Sequence, residues 1–228
     1  MAARVAINGL GRIGRATLKS VHETPELELV AVNDIASPDN LAYLLKYDTV
    51  YGRHQEEVSA GEGAINVGGR RIEVLGEKDP ARLPWRERDV DLVLECTGVF
   101  TTRADLQKHL DAGARRVILS APAKGEEPVP FVVHGVNEAE EGEEILSTAS
   151  CTTNCIAPVI EVMGRRIGLK KAIMTTVHAY TTSQAIVDGP AGKWRRGRAG
   201  AANFVPTSTG AAKATTKALP DYAGRFDG

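Results

Sequence analysis

The stretch Arg4-Val5-Ala6-Ile7-Asn8-Gly9-Leu10-Gly11-Arg12-Ile13-Gly14 decides the fold of the chain. Its apolar first half predicts a short strand, and its glycines, spaced as GxGxxG, predict a tight turn into a helix over residues 12–22. A second strand is predicted over residues 27–33, and Asp34 stands at its end. Strand, helix, second strand and acid lie where a dinucleotide-binding βαβ unit requires them, so the pattern favours such a site over a plain glycine-rich turn.

Each residue type in this unit has a physical purpose. Gly9 allows the tight turn, Gly11 lets the backbone approach a pyrophosphate, and Gly14 lets helix and strand pack closely. Asp34 lies 20 positions past Gly14, where a carboxylate binds the hydroxyl pair of a ribose. That carboxylate would repel a 2′-phosphate, and no arginine follows within residues 35–38 to accept one. NAD is therefore favoured over NADP.

Alternating helices and strands continue to about residue 150 and predict an α/β fold with a doubly wound parallel sheet. A buried parallel strand over residues 91–95 places Thr97 and Gly98 at its carboxyl end, where such sheets bind their ligands. His22 and His109 are expected at polar helix positions. The other predicted elements are a helix over 40–46, a hairpin over 64–75 that turns at Gly68-Gly69, a helix over 103–112 and a strand over 117–120.

Composition and charge narrow the function classes. The 228 residues are 43% hydrophobic, which allows a substantial core in one large domain or two smaller ones. A formal net charge of −1 gives no field that would recruit nucleic acid or a membrane surface. No apolar run approaches the length of a membrane span or a signal sequence, and three cysteines form neither a disulfide framework nor a zinc site. We expect a cytoplasmic protein that binds no metal.

A second informative stretch is Ser150-Cys151-Thr152-Thr153-Asn154-Cys155, where a polar segment gives way to a helical pattern that runs to about residue 166. At a helix N-terminus, free N–H groups and the helix dipole lower a thiol pKa from its usual value of about 8.5. Hydroxyl and amide neighbours favour a reactive Cys151 over a buried, inert one. Cys155, one turn later, is expected to pack in the core.

Of the five histidines, only His178 is placed as a partner for this thiol. It follows a predicted strand over residues 171–177 and precedes a polar loop over 179–183. A histidine within reach of a cysteine stabilises the thiolate and serves as general acid and base.

A basic cluster lies between His178 and a Thr-Gly turn at residues 209–210 that opens a helix. Standing alone, such a cluster is more often a solvated loop. Guanidinium groups close to the free N–H groups of a helix start favour phosphate, so the combination predicts an anion pocket for a phosphorylated substrate. The cluster consists of Lys193, Arg195, Arg196 and Arg198.

Four segments together resemble the phosphorylating glyceraldehyde-3-phosphate dehydrogenase family: residues 7–15, residues 149–155, Asp188-Gly189-Pro190 and residues 208–213. The Ser-Cys-Thr-Thr-Asn-Cys segment is highly specific. The resemblance implies an NAD-binding Rossmann domain over residues 1–150 and the N-terminal portion of an α+β catalytic domain over 151–228. Since the family's chains continue beyond Gly228, it also implies a C-terminally incomplete catalytic domain.

The resemblance also implies a mechanism and a set of site residues. Cys151 attacks the aldehyde, His178 takes the proton, hydride passes to NAD, and inorganic phosphate releases the thioester as an acyl phosphate. The implied phosphate-binding residues are Ser150, Thr152, Thr181, Thr209, Gly210 and Arg196, with Arg195 as the alternative to Arg196. The cofactor-binding set combines the residues of the glycine-rich turn and of the turn after the strand over residues 91–95 with the positions that match the family. Its members are Asn8, Gly9, Gly11, Arg12, Ile13, Gly14, Asp34, Lys78, Thr97, Gly98 and Ser120.

Two further expectations follow from the resemblance. The family's subunit contacts suggest a homotetramer. Many members have Arg-Asp-Pro where this chain has Lys78-Asp79-Pro80, a change that alters a cofactor contact but not the chemistry. Two other functions stay open at this point. One is a related dehydrogenase that either uses another aldehyde phosphate, such as erythrose 4-phosphate, or releases its acid product with water. The other is a truncated NAD-binding module without catalysis.

Overall fold

The computed structural model describes all 228 residues, which form two compact units, Met1–Ser150 and Cys151–Gly228. The helices are α1 (Arg12–His22), α2 (Pro38–Lys46), α3 (Arg103–Asp111), α4 (Cys151–Ile167) and α5 (Ala211–Ala218). The strands are β1 (Ala3–Asn8), β2 (Leu27–Asn33), β3 (Tyr47–Asp48), β4 (Gly52–Arg53), β5 (Val58–Gly61), β6 (Ala64–Val67), β7 (Arg70–Leu75), β8 (Leu92–Glu95), β9 (Arg116–Leu119), β10 (Ile145–Ser147), β11 (Ala172–Ile173) and β12 (Phe226–Asp227).

An eight-stranded sheet with the order β10-β9-β8-β1-β2-β7-β6-β5 forms the first unit. The strands from β10 to β7 pair in parallel, and β6 and β5 add an antiparallel edge. The winding reverses between β1 and β8, because β2 lies on one side of β1 and β8 on the other. Open parallel sheets bind ligands at such a switch point. The doubly wound sheet predicted from the sequence is confirmed.

The strands bury apolar side chains on both faces of this sheet. Ala6 packs in one cluster with Leu106 of α3, whereas its neighbour Ile7 packs in another with Leu18 of α1 and Leu41 of α2. Adjacent residues of a strand point to opposite faces. It follows that α1 and α2 cover one face of the sheet and α3 covers the other.

Most predicted element bounds in the first unit agree with the structure. α1 and β2 have the predicted bounds, and the hairpin of β6 and β7 turns at Gly68 and Gly69, whose φ angles are +55° and +81°. α2 begins at Pro38, earlier than expected, because Ser37 caps it by accepting the Asn40 N–H at 3.4 Å. β3, β4, β5 and β10 were not predicted from the sequence.

The second unit has a small core in which Ile160 of α4, Ala212 of α5 and Phe226 of β12 are buried together. The strand predicted over residues 171–177 is wrong in extent. β11 contains only Ala172–Ile173, because β12, the strand with which it pairs, offers only two residues. None of the five α-helices combines the length and apolar character that a membrane span requires.

Candidate active site

Cys151 is the first residue of α4, and its side chain is exposed. Two residues earlier, Ala149 has a φ of +58°, in the left-handed region that costs a residue with a Cβ atom about 1–2 kcal/mol. Strained backbone of this kind clusters at functional sites. The backbone two residues before Cys151 thus has a conformation that local preference alone would not select.

His178 lies beside this thiol. Its Nε2 atom is 3.2 Å from Cys151 Sγ, and its Nδ1 atom is 2.7 Å from the carbonyl oxygen of Ala179. Because a carbonyl oxygen only accepts, Nδ1 carries a proton, and Nε2 is the nitrogen that exchanges a proton with the sulfur. Thr152 adds a hydroxyl oxygen 3.9 Å from Sγ. The structure therefore brings the two predicted catalytic residues into direct contact.

The surroundings shift the two pKa values in opposite directions. Partial burial raises the pKa of the Cys151 thiol, but hydrogen bonds with His178 and Thr152 and the charge of His178 outweigh this effect and lower it. The hydrogen bond to the Ala179 carbonyl, followed by the one to Cys151, raises the pKa of His178. A lowered thiol pKa and a raised imidazole pKa together favour a thiolate–imidazolium pair near neutral pH.

A cavity of about 620 Å³ opens at the sulfur atom. Gly210 directly follows one of its lining residues, Thr209, as the N-cap of α5. Ser150, which precedes Cys151 in the chain, belongs to the first unit. Six of the predicted catalytic and phosphate-binding residues line the cavity: Cys151, Thr152, His178, Thr181, Arg196 and Thr209.

Hydroxyl groups of the same cavity hold Arg196. Its Nη1 donates to Ser183 Oγ at 2.6 Å and its Nη2 to Thr207 Oγ1 at 3.4 Å, while Ser183 Oγ is 3.1 Å from Thr181 Oγ1. A guanidinium group surrounded by hydroxyls suits a phosphate. Arg195 instead lines a neighbouring cavity of about 580 Å³, which it shares with Arg196.

The start of α5 provides a second set of donors. Thr209 Oγ1 accepts the N–H of Ala211 at 3.1 Å, and Gly210, at the N-cap, has no side chain to cap the helix. The first N–H groups of a helix have no partner within the helix and favour anions.

Two residues of this cavity were missed by the sequence analysis, and one expectation was wrong. Ser183 and Thr207 both contact Arg196, but their only signal in the sequence was the polar composition of their loops. Cys155, which was expected to pack in the core, is exposed. The core-facing positions of α4 are taken by Thr153, Ala157 and Ile160.

The glycine-rich turn of the first unit has the shape that a dinucleotide requires. A Cβ atom on Gly9, whose φ is +89°, would lie 2.7 Å from the backbone nitrogen of Thr97, and one on Gly14 would collide with the Gly9 carbonyl oxygen. A Cβ atom on Gly11 would meet nothing within 4 Å. Gly11 is also the N-cap of α1 and forms no side-chain cap. Open space before a helix N-terminus, at the switch point of the sheet, fits a pyrophosphate.

The acidic and basic cofactor candidates lie around this turn. Asp34, after β2, accepts the Leu10 N–H at 2.7 Å and the Ala36 N–H at 2.9 Å, so its carboxylate is held against the turn. Arg12 forms two hydrogen bonds to Asp48. The remaining candidates follow strand ends or open α1: Asn8 ends β1, Lys78 follows β7, Thr97 and Gly98 follow β8, Ser120 follows β9, and Ile13 lies in the first turn of α1.

The chain is similar to known proteins along its length. Residues 3–103 match the family model described as glyceraldehyde 3-phosphate dehydrogenase, NAD binding domain, and residues 150–228 match the corresponding C-terminal domain. The chain is 48% identical over 231 residues to glyceraldehyde-3-phosphate dehydrogenase 1 of Bacillus subtilis (strain 168), covering 100% of this chain and 68% of that protein. It is 49% identical over 232 residues to glyceraldehyde-3-phosphate dehydrogenase of Streptomyces coelicolor, with the same coverage. It is 47% identical over 228 residues to that of Haloarcula vallismortis, covering 99% of this chain and 68% of the relative.

Proposed function

The chain belongs to the glyceraldehyde-3-phosphate dehydrogenase family, and we propose that Cys151 and His178 carry the chemistry of that family here. The reaction is the oxidation of glyceraldehyde 3-phosphate, with NAD and inorganic phosphate, to 1,3-bisphosphoglycerate and NADH in glycolysis. The observation that carries the proposal is the 3.2 Å contact between Cys151 Sγ and His178 Nε2 at the first residue of α4. In this account residues 1–150 bind NAD and residues 151–228 form the N-terminal portion of the catalytic domain.

The covalent chemistry begins at the sulfur. The Cys151 thiolate attacks the aldehyde carbon, a C–S bond forms, and the carbonyl π electrons move to the oxygen. The imidazolium of His178 gives its Nε2 proton to that oxygen, which yields a neutral thiohemiacetal. The lowered pKa of Cys151 and the raised pKa of His178 both favour the protonation states that this step requires.

His178 then acts as the base. Its neutral Nε2 takes back the hydroxyl proton of the thiohemiacetal while a hydride leaves the same carbon, so a thioester remains on Cys151. Bound NAD supplies the acceptor for this hydride. Its proposed binding residues are those of the two turns and the strand ends of the first unit: Asn8, Gly9, Gly11, Arg12, Ile13, Gly14, Asp34, Lys78, Thr97, Gly98 and Ser120.

Inorganic phosphate completes the reaction. A phosphate oxygen attacks the thioester carbon, the C–S bond breaks, and Cys151 leaves as the thiolate that starts the next cycle. We assign the attacking phosphate to Ser150, Thr152, Thr209 and Gly210, and the phosphate of the substrate to Thr181 and Arg196. The hydrogen-bonded group of Thr181, Ser183 and Arg196 on the cavity wall supports the second assignment.

Two further proposals concern the whole protein. We propose that the chain assembles as a homotetramer and acts in the cytoplasm. Ile186 and Val187, just before Asp188-Gly189-Pro190, are 81% and 76% exposed, and surface of this kind marks protein contacts. In sedimentation velocity, we expect a tetramer that dissociates when both residues are replaced by serine. A wild-type chain that sediments as a monomer at micromolar concentration would contradict this proposal.

The proposed chemistry is tested by steady-state NADH formation from glyceraldehyde 3-phosphate and NAD, with and without inorganic phosphate. Turnover is expected only with phosphate, and it should be lost in Cys151→Ser and retained in Cys155→Ser. Cys155 is the matched control, since it is an exposed thiol on the same helix. Erythrose 4-phosphate serves as the comparison substrate, and faster turnover with it would contradict the substrate assignment.

A further inference from the structure

Glu95, the last residue of β8, is a fully buried carboxylate that the chemistry above does not use. Its Oε1 accepts the Thr97 N–H at 2.8 Å and also the Thr97 hydroxyl. Its Oε2 accepts from Asn8 Nδ2 at 2.5 Å and lies 3.2 Å from His109 Nε2. Burying a carboxylate is costly unless donors surround it. Glu95 meets this condition with four contacts from three residues.

His109 of α3 is equally buried, and its second ring nitrogen faces Trp85. Trp85 Nε1 donates to His109 Nδ1 at 3.0 Å. Because an indole nitrogen only donates, Nδ1 is the acceptor and the ring proton is on Nε2, which donates to Glu95. Trp85, His109 and Glu95 therefore form one chain of hydrogen bonds with a fixed direction.

The polar helix position expected for His109 is thus wrong. Leu106 lies three residues earlier on α3, and residues at this spacing share a helix face. Both side chains are fully buried. His109 is accommodated in the interior because both of its ring nitrogens have a partner there.

On its other side the carboxylate reaches the strand ends. Asn8 Oδ1 accepts from Asn33 Nδ2 at 2.7 Å, and the Asn33 side chain exchanges two hydrogen bonds, each of 2.9 Å, with the backbone of Glu77. Asn8, Asn33 and Glu95 are the last residues of β1, β2 and β8 and lie side by side in register. One carboxylate therefore stands at the centre of a buried network that joins the turns after these strands.

We propose that Glu95 is a positioning residue for NAD and that the Trp85–His109 pair holds its carboxylate in place. Asn8 precedes Gly9 and Thr97 precedes Gly98, so both turns proposed to bind the cofactor are attached to Glu95. The Gly9 backbone also approaches the Thr97 backbone closely, since a Cβ atom on Gly9 would lie 2.7 Å from the Thr97 nitrogen. A turn ordered in advance binds its ligand without the cost of being ordered on binding. The inference rests on NAD binding by the first unit and not on the roles of Cys151 and His178.

The first test is calorimetric titration of NAD into the full chain and its Glu95→Gln variant. Glutamine keeps the size of the side chain but directs an amide N–H₂ group at one of the present donors. We expect NAD affinity to fall about 10- to 100-fold, the usual effect of losing a hydrogen bond to a charged group. The Thr97 amide, whose acceptor is weakened, should also exchange its hydrogen faster.

A matched pair at His109 separates positioning from packing. The amide nitrogen of a glutamine reaches the place of the imidazole Nε2, whereas an asparagine reaches only that of Nδ1. If His109 positions Glu95, His109→Gln keeps the NAD affinity within about threefold of wild type and His109→Asn loses about tenfold or more. Equal affinities in the two variants, or a larger loss in His109→Gln, would contradict the inference.

Leu106→Ala provides the structural control, since it opens a cavity on the same helix face and removes no hydrogen bond of the network. It should lower the melting temperature and leave the dissociation constant for NAD unchanged. If Glu95→Gln does not fold, the comparison of the two His109 variants decides the question. Wild-type NAD affinity and wild-type Thr97 exchange in folded Glu95→Gln would overturn the inference.

Discussion

Cys151 and Cys155 are both exposed thiols on α4, yet only one of them has a histidine nitrogen 3.2 Å from its sulfur. Exposure alone therefore does not make a nucleophile. His178 is oriented by the Ala179 carbonyl, which fixes the proton on Nδ1 and leaves Nε2 to the sulfur. We therefore expect the reactivity of Cys151 to depend on the Ala179 contact as well as on His178.

The pH dependence of Cys151 alkylation by iodoacetamide tests this arrangement in a Cys155→Ser background. The lowered thiol pKa keeps Cys151 reactive below the ordinary thiol range, and reactivity rises with pH through that pKa. His178→Asn removes the imidazolium, so the alkylation midpoint should move up toward about 8.5. At pH 7 the rate of Cys151 alkylation should fall about tenfold for each pKa unit by which the midpoint rises. An unchanged midpoint would show that His178 does not lower the pKa.

Arg196 and Arg195 give a second prediction at the residue scale. Arg196 lines the cavity at Cys151 and contacts two hydroxyls there, whereas Arg195 lines the neighbouring cavity. We expect Arg196→Leu to raise KM for glyceraldehyde 3-phosphate about 10- to 100-fold, the effect of losing a charged hydrogen bond. Arg195→Leu should change KM less than threefold. Steady-state kinetics with varied aldehyde measures both values, and the reverse order would move the phosphate site to Arg195.

The sequence predicted Cys151 and His178 as partners from local signals, which were a polar helix start at Cys151 and, at His178, a predicted strand end that leads into a polar loop. Ser183, Thr207 and Glu95 carried no comparable signal. Their roles arise from contacts with residues 11 to 87 positions away in the chain, and only the fold brings such residues together.

At the scale of elements, the glycine-rich turn was the most predictable part of the molecule. Its geometry follows from residue types alone, since each glycine sits where a Cβ atom would collide or would fill the open space. β11 was predicted too long because its β-branched residues favour a strand, whereas a strand also requires a partner. β12 supplies that partner over only two residues.

Two alanine substitutions in this turn separate binding from folding. A Cβ atom on Gly11 meets no protein atom within 4 Å, so Gly11→Ala should leave the melting temperature nearly unchanged and weaken NAD binding. A Cβ atom on Gly14 would collide with the Gly9 carbonyl, so Gly14→Ala should lower the melting temperature by several degrees. Thermal unfolding and NAD titration give the two readouts. Normal NAD binding by Gly11→Ala would place the pyrophosphate elsewhere.

At the scale of the whole molecule, the two units differ in how much they bury. The first unit has an apolar cluster on each face of an eight-stranded sheet, and the second has a cluster of only three buried residues. Stability is therefore expected to be distributed unevenly along the chain.

Native-state hydrogen exchange should report this difference. Amides of α4 and α5 should exchange through local openings that cost less free energy than the openings that expose amides of β1 and β2. The reason is that opening α4 and α5 exposes less apolar surface. NAD should increase protection in the first unit, since a ligand stabilises the state that binds it. Equal protection of the two units in the absence of NAD would show that they unfold as one.

In the proposed mechanism the thiohemiacetal on Cys151 is oxidised to a thioester, and a rapid-mixing measurement of NADH without inorganic phosphate tests this step most directly. We expect a burst of about one NADH per active chain followed by arrest, with turnover resuming when phosphate is added. Cys155→Ser should show the same burst and Cys151→Ser none. A burst of equal size in Cys151→Ser, or steady turnover without phosphate, would contradict the account.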